Sequence, residues 1–264
     1  MKSTAASSEL MALVPPRRDT LQQRVYSELR RALMRGEFTP GRSLTIRALA
    51  HALHTSSMPV REALRQLVTE RALEMLPNRS FGVPQLSPER FHDLLRVRTE
   101  IEGFAVAEAA SRITKAQLER VEEINAEMRA ASKGGDRLRF ISCNQEFHFA
   151  IYAAAGSGTL IPLIETLWLQ AGPYIGCIYG EDLDPIVNLS HHEGLLRALR
   201  RRDAAKSRAM LIQDISSPAD RVIEIATARF KQQGALSTRK SSIRRAERRG
   251  FRSSADSGSR TKEV

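Results

Sequence analysis

Apolar residues recur at helical spacing along most of this chain. Leu21, Val25, Leu29 and Leu33 stand four apart, with Asp19 or Thr20 ahead as N-cap and Gly36 behind as a stop, which predicts a first helix with this stripe in the core. After a Pro40-Gly41 turn, Thr45 can cap a second helix in which Ile46, Leu49, Ala50 and Leu53 follow the i, i+3, i+4, i+7 pattern of one buried face. His54-Thr55-Ser56-Ser57 interrupts it. Pro59 suits the first position of a third helix, where its missing N–H costs nothing, and Val60, Ala63, Leu64 and Leu67 repeat the pattern over a helix predicted from 59 to 69. Two short helices about a tight break describe a helix-turn-helix. Leu73, Met75, Phe81 and Val83 then alternate with polar or small residues about Pro77-Asn78-Arg79-Ser80, which predicts a small hairpin, the wing of such a module.

From Pro88 the pattern is helical throughout. Leu94, Leu95, Val97, Ile101, Phe104 and Ala105 form a first apolar face, and Leu118, Val121, Ile124 and Met128 a second. Gly134-Gly135 breaks the chain before a helix over 138–154, and Gly156-Ser157-Gly158 breaks it again. Further helices are predicted over 160–170, 186–201 and 204–230. The fold class is thus mainly α: an N-terminal winged helix-turn-helix with a small β-hairpin wing, then an antiparallel all-helical bundle. The expected organisation is a flexible N-terminus over 1–18, the DNA-binding module over 19–85, the bundle over 86–232 and a basic tail over 233–264.

Length and charge fit this division. The 264 residues suit two domains, each with its own core, and no apolar run approaches the roughly 20 residues that span a bilayer. No export signal is read near the start, and Cys143 and Cys177 lack metal-type or disulfide-framework spacing, so a reducing, cytoplasmic setting without a membrane is expected. The formal net charge of +11 favours a polyanion, by counterion release at phosphates. Much of that surplus lies in the first ninety residues and in the serine-rich tail, which reads either as a solvated extension or as a nucleic-acid arm.

With Val60, Ala63, Leu64 and Leu67 inside, Arg61 and Arg65 share the open face of the third helix, one turn apart, and Arg61 stands in its first turn. A planar guanidinium there can donate two hydrogen bonds to guanine O6 and N7. The competing use of Arg61 is a surface pair with Glu62 or Glu70. Arg79 at the tip of the wing suits a phosphate or a narrow minor groove, or serves as a plain turn residue. Gly36-Glu37-Phe38-Thr39-Pro40-Gly41, Leu49-Ala50, Met58-Pro59-Val60-Arg61-Glu62-Ala63-Leu64 and Pro77-Asn78-Arg79 together resemble the DNA-binding module of GntR-family regulators. By position, that resemblance implies DNA contacts at Arg47, Ser56, Ser57, Met58, Arg61, Asn78 and Arg79. Members usually carry arginine where this chain has Ser57, threonine at Met58 and glycine at Arg71, so the operator and the local backbone are expected to depart from the family's.

The second segment resembles the FCD effector domain of the FadR subfamily, through Leu94-Leu95-Arg96-Val97-Arg98 with Glu100 and Glu102, through Asn144-Gln145-Glu146-Phe147-His148, and through His192 and Asp203. Asp203 is a good N-cap, so the chain turns there. His192 lies eleven residues before it and Asp214 eleven after, which brings them level in an antiparallel helix pair. Asn144 and His148, four apart, share a face of another helix. Two imidazoles, a carboxylate and an amide oxygen could thus meet one divalent ion, zinc foremost, nickel or manganese as alternatives. The resemblance implies Asp, His, His, His at these places; Asn144 and Asp214 depart from it. The other reading has these histidines hydrogen-bonding an effector or the core. Arg98 either meets an anionic effector or pairs with Glu102 one turn on.

The expected function is a homodimeric DNA-binding transcription regulator, a repressor by default, that reads two half-sites of a double-stranded operator and responds to a small carboxylate effector. No nucleophile or oxyanion donor accompanies the candidate ligands, so no enzyme is expected. Two alternatives stay open: a metal-dependent hydrolase using His148, His192 and Asp214, and a non-specific basic DNA-binding protein driven by the tail.

Overall fold

The computed structural model describes residues 21–77, 80–85, 87–178, 186–220 and 222–224. The chain divides into two compact units, Met1–Arg31 with Ser43–Gly82, and Ala32–Arg42 with Val83–Val264. The expected terminal segments 1–18 and 233–264 and the caps Asp19 and Thr20 lie outside the described residues.

Helix α1 (Leu21–Met34) buries Val25, Leu29 and Leu33 but leaves Leu21 49% exposed, so the stripe is one turn shorter than its spacing suggested because the first turn runs past the packed surface. In α2 (Ile46–Ala52) Thr45 caps as expected, its hydroxyl accepting from the Ala48 amide at 3.3 Å. Helix α3 (Ser57–Thr69) starts two residues earlier than predicted, which places Pro59 third in the helix, still within the first turn where no amide has an intrahelical partner. Val60, Ala63, Leu64 and Leu67 are completely buried. The helix closes in a Schellman turn: the Arg71 amide donates to Val68 and the Ala72 amide to Leu67, both at 3.0 Å, with Arg71 at φ 59. The position where an arginine replaces the family's glycine is therefore left-handed backbone.

The wing forms, with an addition. Strands β2 (Glu74–Met75) and β3 (Phe81–Gly82) pair antiparallel as the hairpin predicts, and β1 (Ser43–Leu44), unread in the sequence, joins the other side of β3 to give the order β1-β3-β2. Two residues are too few to show a period-two pattern. Leu44 and Phe81 face each other and are buried, whereas Met75, expected inward, is 61% exposed on an edge strand.

The second unit is a helical bundle. Ser87 caps α4 (Pro88–Arg112) by accepting from the Arg90 amide at 3.1 Å, with Pro88 at its first position. A two-residue link with the Thr114–Gln117 capping box turns the chain into α5 (Lys115–Lys133), and Asp136 caps α6 (Arg137–Ala154). Helix α7 (Leu160–Ile178) continues eight residues beyond the predicted end, across Pro173. Burial of Ala171, Tyr174 and Ile175 around that proline offsets the roughly 3 kcal/mol of a lost helical bond and ring clash. Asp203 turns the chain from α8 (Ile186–Arg200) into α9 (Ala204–Ser216), accepting from the Lys206 amide at 2.9 Å. Helix α9 ends at Ser216 instead of running to 230, because Pro218 brings no N–H; helical residues resume at 219–220 and 222–224. Helix α4 packs against α6, α7, α8 and α9, so it is the bundle's central strut.

That strut corrects the apolar face read from the sequence. Its buried side carries Phe91, Leu94, Arg98, Glu102, Ala105 and Ala109, while Val97 and Phe104 are 39% and 54% exposed. Two charged residues thus occupy core positions. Among the described residues no helix is long and apolar enough to cross a membrane.

Candidate nucleic-acid interface and metal centre

On α3 the four buried residues turn Arg61 and Arg65 outward. Arg65 donates to Glu62 at 3.1 Å, and Glu70 accepts from the Tyr26 hydroxyl at 2.5 Å and from Gln66 at 3.3 Å. Both acids that competed for Arg61 therefore have other partners, and among the described residues its guanidinium makes no ion pair or hydrogen bond. Arg47 on α2 and Ser56, Ser57 and Met58 at the start of α3 are exposed too, Met58 at 68%. The surface around the first turn of α3 thus presents an open guanidinium beside small and thioether side chains, chemistry suited to base edges in a major groove. Asn78 and Arg79 lie outside the described residues.

The buried candidates converge. Asn144 and His148 come from α6, His192 from α8 and Asp214 from α9, and all four are at least 95% buried. His148 Nε2 is 3.2 Å from Asp214 Oδ2, and His192 Nε2 is 3.4 Å from the same oxygen without hydrogen-bond geometry. One ligating atom from each of the three lies within 4.8 Å of the others. The level placement of His192 and Asp214 about the Asp203 turn is the one the residue count predicted. Phe147 stacks on the His192 ring, 4.2 Å between centroids, and holds its plane.

The polar atoms left over test whether a cation fits. The Asn144 Oδ1, both ring nitrogens of His192 and Asp214 Oδ1 are buried with no hydrogen-bond partner among the described residues. Burying an unpartnered acceptor costs free energy, and an ion at the convergence of His148, His192 and Asp214 would give His192 Nε2 a partner. Burial pushes the His148 imidazole below its usual range, against the pull of Asp214, and so favours the neutral ring that a metal requires. Burial also works against the Asp214 carboxylate, yet His192 and His148 outweigh it and hold the group well below the usual carboxylate range. The donor set, two imidazoles with carboxylate and amide oxygens, suits a borderline divalent ion.

Arg98 resolves toward its intrahelical partner. Its Nε donates to Glu102 Oε1 at 2.6 Å and a terminal nitrogen to Oε2 at 3.3 Å, in a pair almost wholly buried. Burial would lower the guanidinium's affinity for its proton, and Glu102 more than restores it. Glu102 also accepts from the Tyr152 hydroxyl at 2.5 Å and the Trp168 indole at 3.1 Å, while Trp168 lies 5.1 Å beneath the guanidinium. Arg98 nonetheless still lines a cleft of about 40 Å³, partly open to solvent, with Asn144, His148 and Asp214. Sequence reasoning named Glu102 only as a partner for Arg98 and missed Tyr152 and Trp168 as parts of the site. His191 Nδ1 also lies 4.0 Å from Asp214 Oδ1. Only the spacing of 98 and 102 with Phe91, Leu94, Ala105 and Ala109 carried a signal of this.

Comparison with known proteins agrees with both halves. The profile of the bacterial regulatory proteins of the gntR family matches residues 21–83, and that of the FCD domain matches residues 93–217. The chain is 33% identical over 197 residues to the HTH-type transcriptional regulator McbR of Escherichia coli (strain K12), covering 74% of this chain and 89% of that one. It is 26% identical over 207 residues to the HTH-type transcriptional repressor GlaR of the same organism, covering 73% and 91%. The solved structure of E. coli McbR/YncC superposes with a TM-score of 0.73 at 30% identity, over 80% of this chain and 99% of that one. A putative GntR regulator from Rhodococcus sp. RHA1, at 21% identity and TM-score 0.65 over 77% and 97%, shares the fold. These relatives are transcription regulators, not enzymes, so the hydrolase alternative falls. The chain belongs to the GntR family of transcription regulators, in the FadR-like subfamily that carries an FCD domain.

Proposed function

We propose that this regulator is a cytoplasmic, homodimeric repressor whose affinity for a two-half-site DNA operator falls when a small carboxylate binds at a divalent metal held by Asn144, His148, His192 and Asp214. In this reading the DNA-binding module comprises 19–85 and the effector and dimerisation domain 86–232. Arg61 reads a base edge, with Arg47, Ser56, Ser57, Met58 and Arg65 around it and Asn78 and Arg79 on the wing. A single short helix carries little sequence information, and a dimer doubles it. With serine at 57, one potential bidentate contact is missing and the half-site departs from the family's common one.

The observation that carries the effector reading is the charge inventory of the cleft. Arg98 and Glu102 cancel and Asp214 is anionic, so apart from the imidazoles these side chains carry one net negative charge, which repels a carboxylate. A bound divalent ion, zinc foremost and nickel or manganese next, supplies the charge that turns this surplus positive. Asn144, His148, His192 and Asp214 hold it, and Arg98 offers its outer face to the carboxylate. A ligand moves DNA affinity only through its differential affinity for two dimer geometries, so metal and carboxylate together must favour the geometry that mismatches the half-site spacing.

The test is an operator selected from a random duplex pool, followed by anisotropy titration with a panel of small carboxylates, with zinc and after chelation. Weakened operator binding is expected only with zinc present. No response to any carboxylate removes the effector reading; an equal response after chelation removes the metal from it. The non-specific alternative predicts that trimming the chain after residue 232 abolishes binding while Arg61→Ala leaves it intact; the proposal predicts the reverse.

A further inference from the structure

His148 presents two nitrogens to two different surroundings. Its Nε2 points to the convergence with His192 and Asp214, while Nδ1 lies 3.4 Å from the Tyr152 hydroxyl, on the far side of the ring. A neutral imidazole carries one proton, so a ring that gives Nε2 to a cation holds its proton on Nδ1 and needs an acceptor there. The acceptor is decided one step further back. Tyr152 donates its own hydrogen to Glu102 Oε2 at 2.5 Å. Glu102 is completely buried, and its contacts from Arg98, Tyr152 and Trp168 all come from donors, so it offers Tyr152 only an acceptor. With its hydrogen committed, the phenol oxygen turns a lone pair to His148 Nδ1.

We infer that Tyr152, oriented by Glu102, is a positioning residue that holds the His148 proton on Nδ1 and so keeps Nε2 available to a divalent cation. This rests on reading His148, His192 and Asp214 as a metal centre. Through the Arg98–Glu102 pair it also ties the metal ligand on α6 to the wall of the cleft on α4. Outer partners of ligating histidines are worth about 10–100-fold in metal affinity, because they fix tautomer and ring orientation.

The test uses the full chain. Zinc affinity is measured against a chromophoric chelator for the wild type and Tyr152→Phe, alongside thermal melting of both metal-free proteins. Tyr152→Phe is expected to bind zinc about 10–100-fold more weakly, a loss larger than its change in metal-free melting can account for. In the zinc-loaded wild type, proton NMR with nitrogen-15 labelled histidine should show a slowly exchanging Nδ1–H on His148, and in Tyr152→Phe that proton should exchange rapidly. Equal zinc affinity for the two proteins overturns the inference, as does a zinc-loaded wild type with the His148 proton on Nε2. A wild type that binds neither zinc, nickel nor manganese overturns the metal centre itself, an outcome distinct from the other two.

Discussion

Replacing Glu102 by leucine tests whether the buried pair beneath the cleft is a true electrostatic unit. The carboxylate is completely buried and Arg98 is 6% exposed, so the substitution leaves a guanidinium inside the bundle with no counter-charge. Removing one partner of a buried pair costs about 3–5 kcal/mol. The Trp168 indole loses its acceptor, worth about 1–3 kcal/mol more, whereas the Tyr152 hydroxyl can turn to His148 Nδ1 at 3.4 Å. The total of about 4–8 kcal/mol is comparable with the whole stability of an ordinary domain, about 5–15 kcal/mol. Adding Arg98→Met removes the stranded charge. Since apolar side chains of similar volume replace a buried ion pair at little or no cost, the double variant should be more stable than Glu102→Leu alone. Urea unfolding reads this directly: Trp168 is the chain's single tryptophan and stacks on Arg98, so its emission reports on this network while far-ultraviolet dichroism reports on the helices. A Glu102→Leu protein within about 1 kcal/mol of wild type, or a double variant no more stable than the single, refutes the reasoning.

Other outcomes follow from the same geometry. Arg61→Ala should weaken specific operator binding by about 1–3 kcal/mol and leave non-specific binding nearly unchanged, while Arg65→Ala, whose guanidinium already pairs with Glu62, should cost less; anisotropy titrations on specific and random duplexes separate them. Arg71→Gly should raise the unfolding midpoint, because a left-handed non-glycine residue costs about 1–2 kcal/mol and the entropy of glycine returns only about 0.5–1; a lowered midpoint would show that the Arg71 side chain's contacts outweigh the strain. The metal-free protein should lose stability on acidification. His148 is held below its free value by burial, so its contribution is intact above about pH 6.5 and is lost as pH falls through the depressed value; Asp214, also depressed, adds a further loss below about pH 4. Urea midpoints that do not fall between pH 7.5 and 5.5 would contradict this, and His148→Gln should flatten the decline.

How far the chain could be read before its structure depended on whether a residue's role matched its type. In α3, Val60, Ala63, Leu64 and Leu67 are apolar and completely buried, so periodicity alone identified the helix and the open face bearing Arg61. The His192–Asp214 meeting was legible for a different reason: both stand the same number of residues from a capping aspartate, and a helix hairpin turns equal counts into equal heights. In α4 the same logic misled. Arg98 and Glu102 occupy core positions as a mutually satisfied pair, and hydropathy assigns charged residues outward, which rotated the expected face toward Val97 and Phe104. The contacts that make that pair tolerable come from Tyr152 and Trp168, 50 and 66 residues away in sequence, and no local pattern encodes a partner at that distance. Left-handed turns show the same limit: Gly36 announces one, but His54, Arg71 and Arg202 adopt the same backbone after α2, α3 and α8 because a Schellman turn is fixed by where the helix must stop. Proline is ambiguous for a related reason. Pro173 lies within a helix whose neighbouring residues are buried and hold it together, while α9 stops just before Pro218, so the lost hydrogen bond is the same and the packing around it decides the outcome. The residues hardest to read are thus the charged and strained ones that the bundle stabilises from a distance, and beside the cleft these are Arg98 and its partner Glu102.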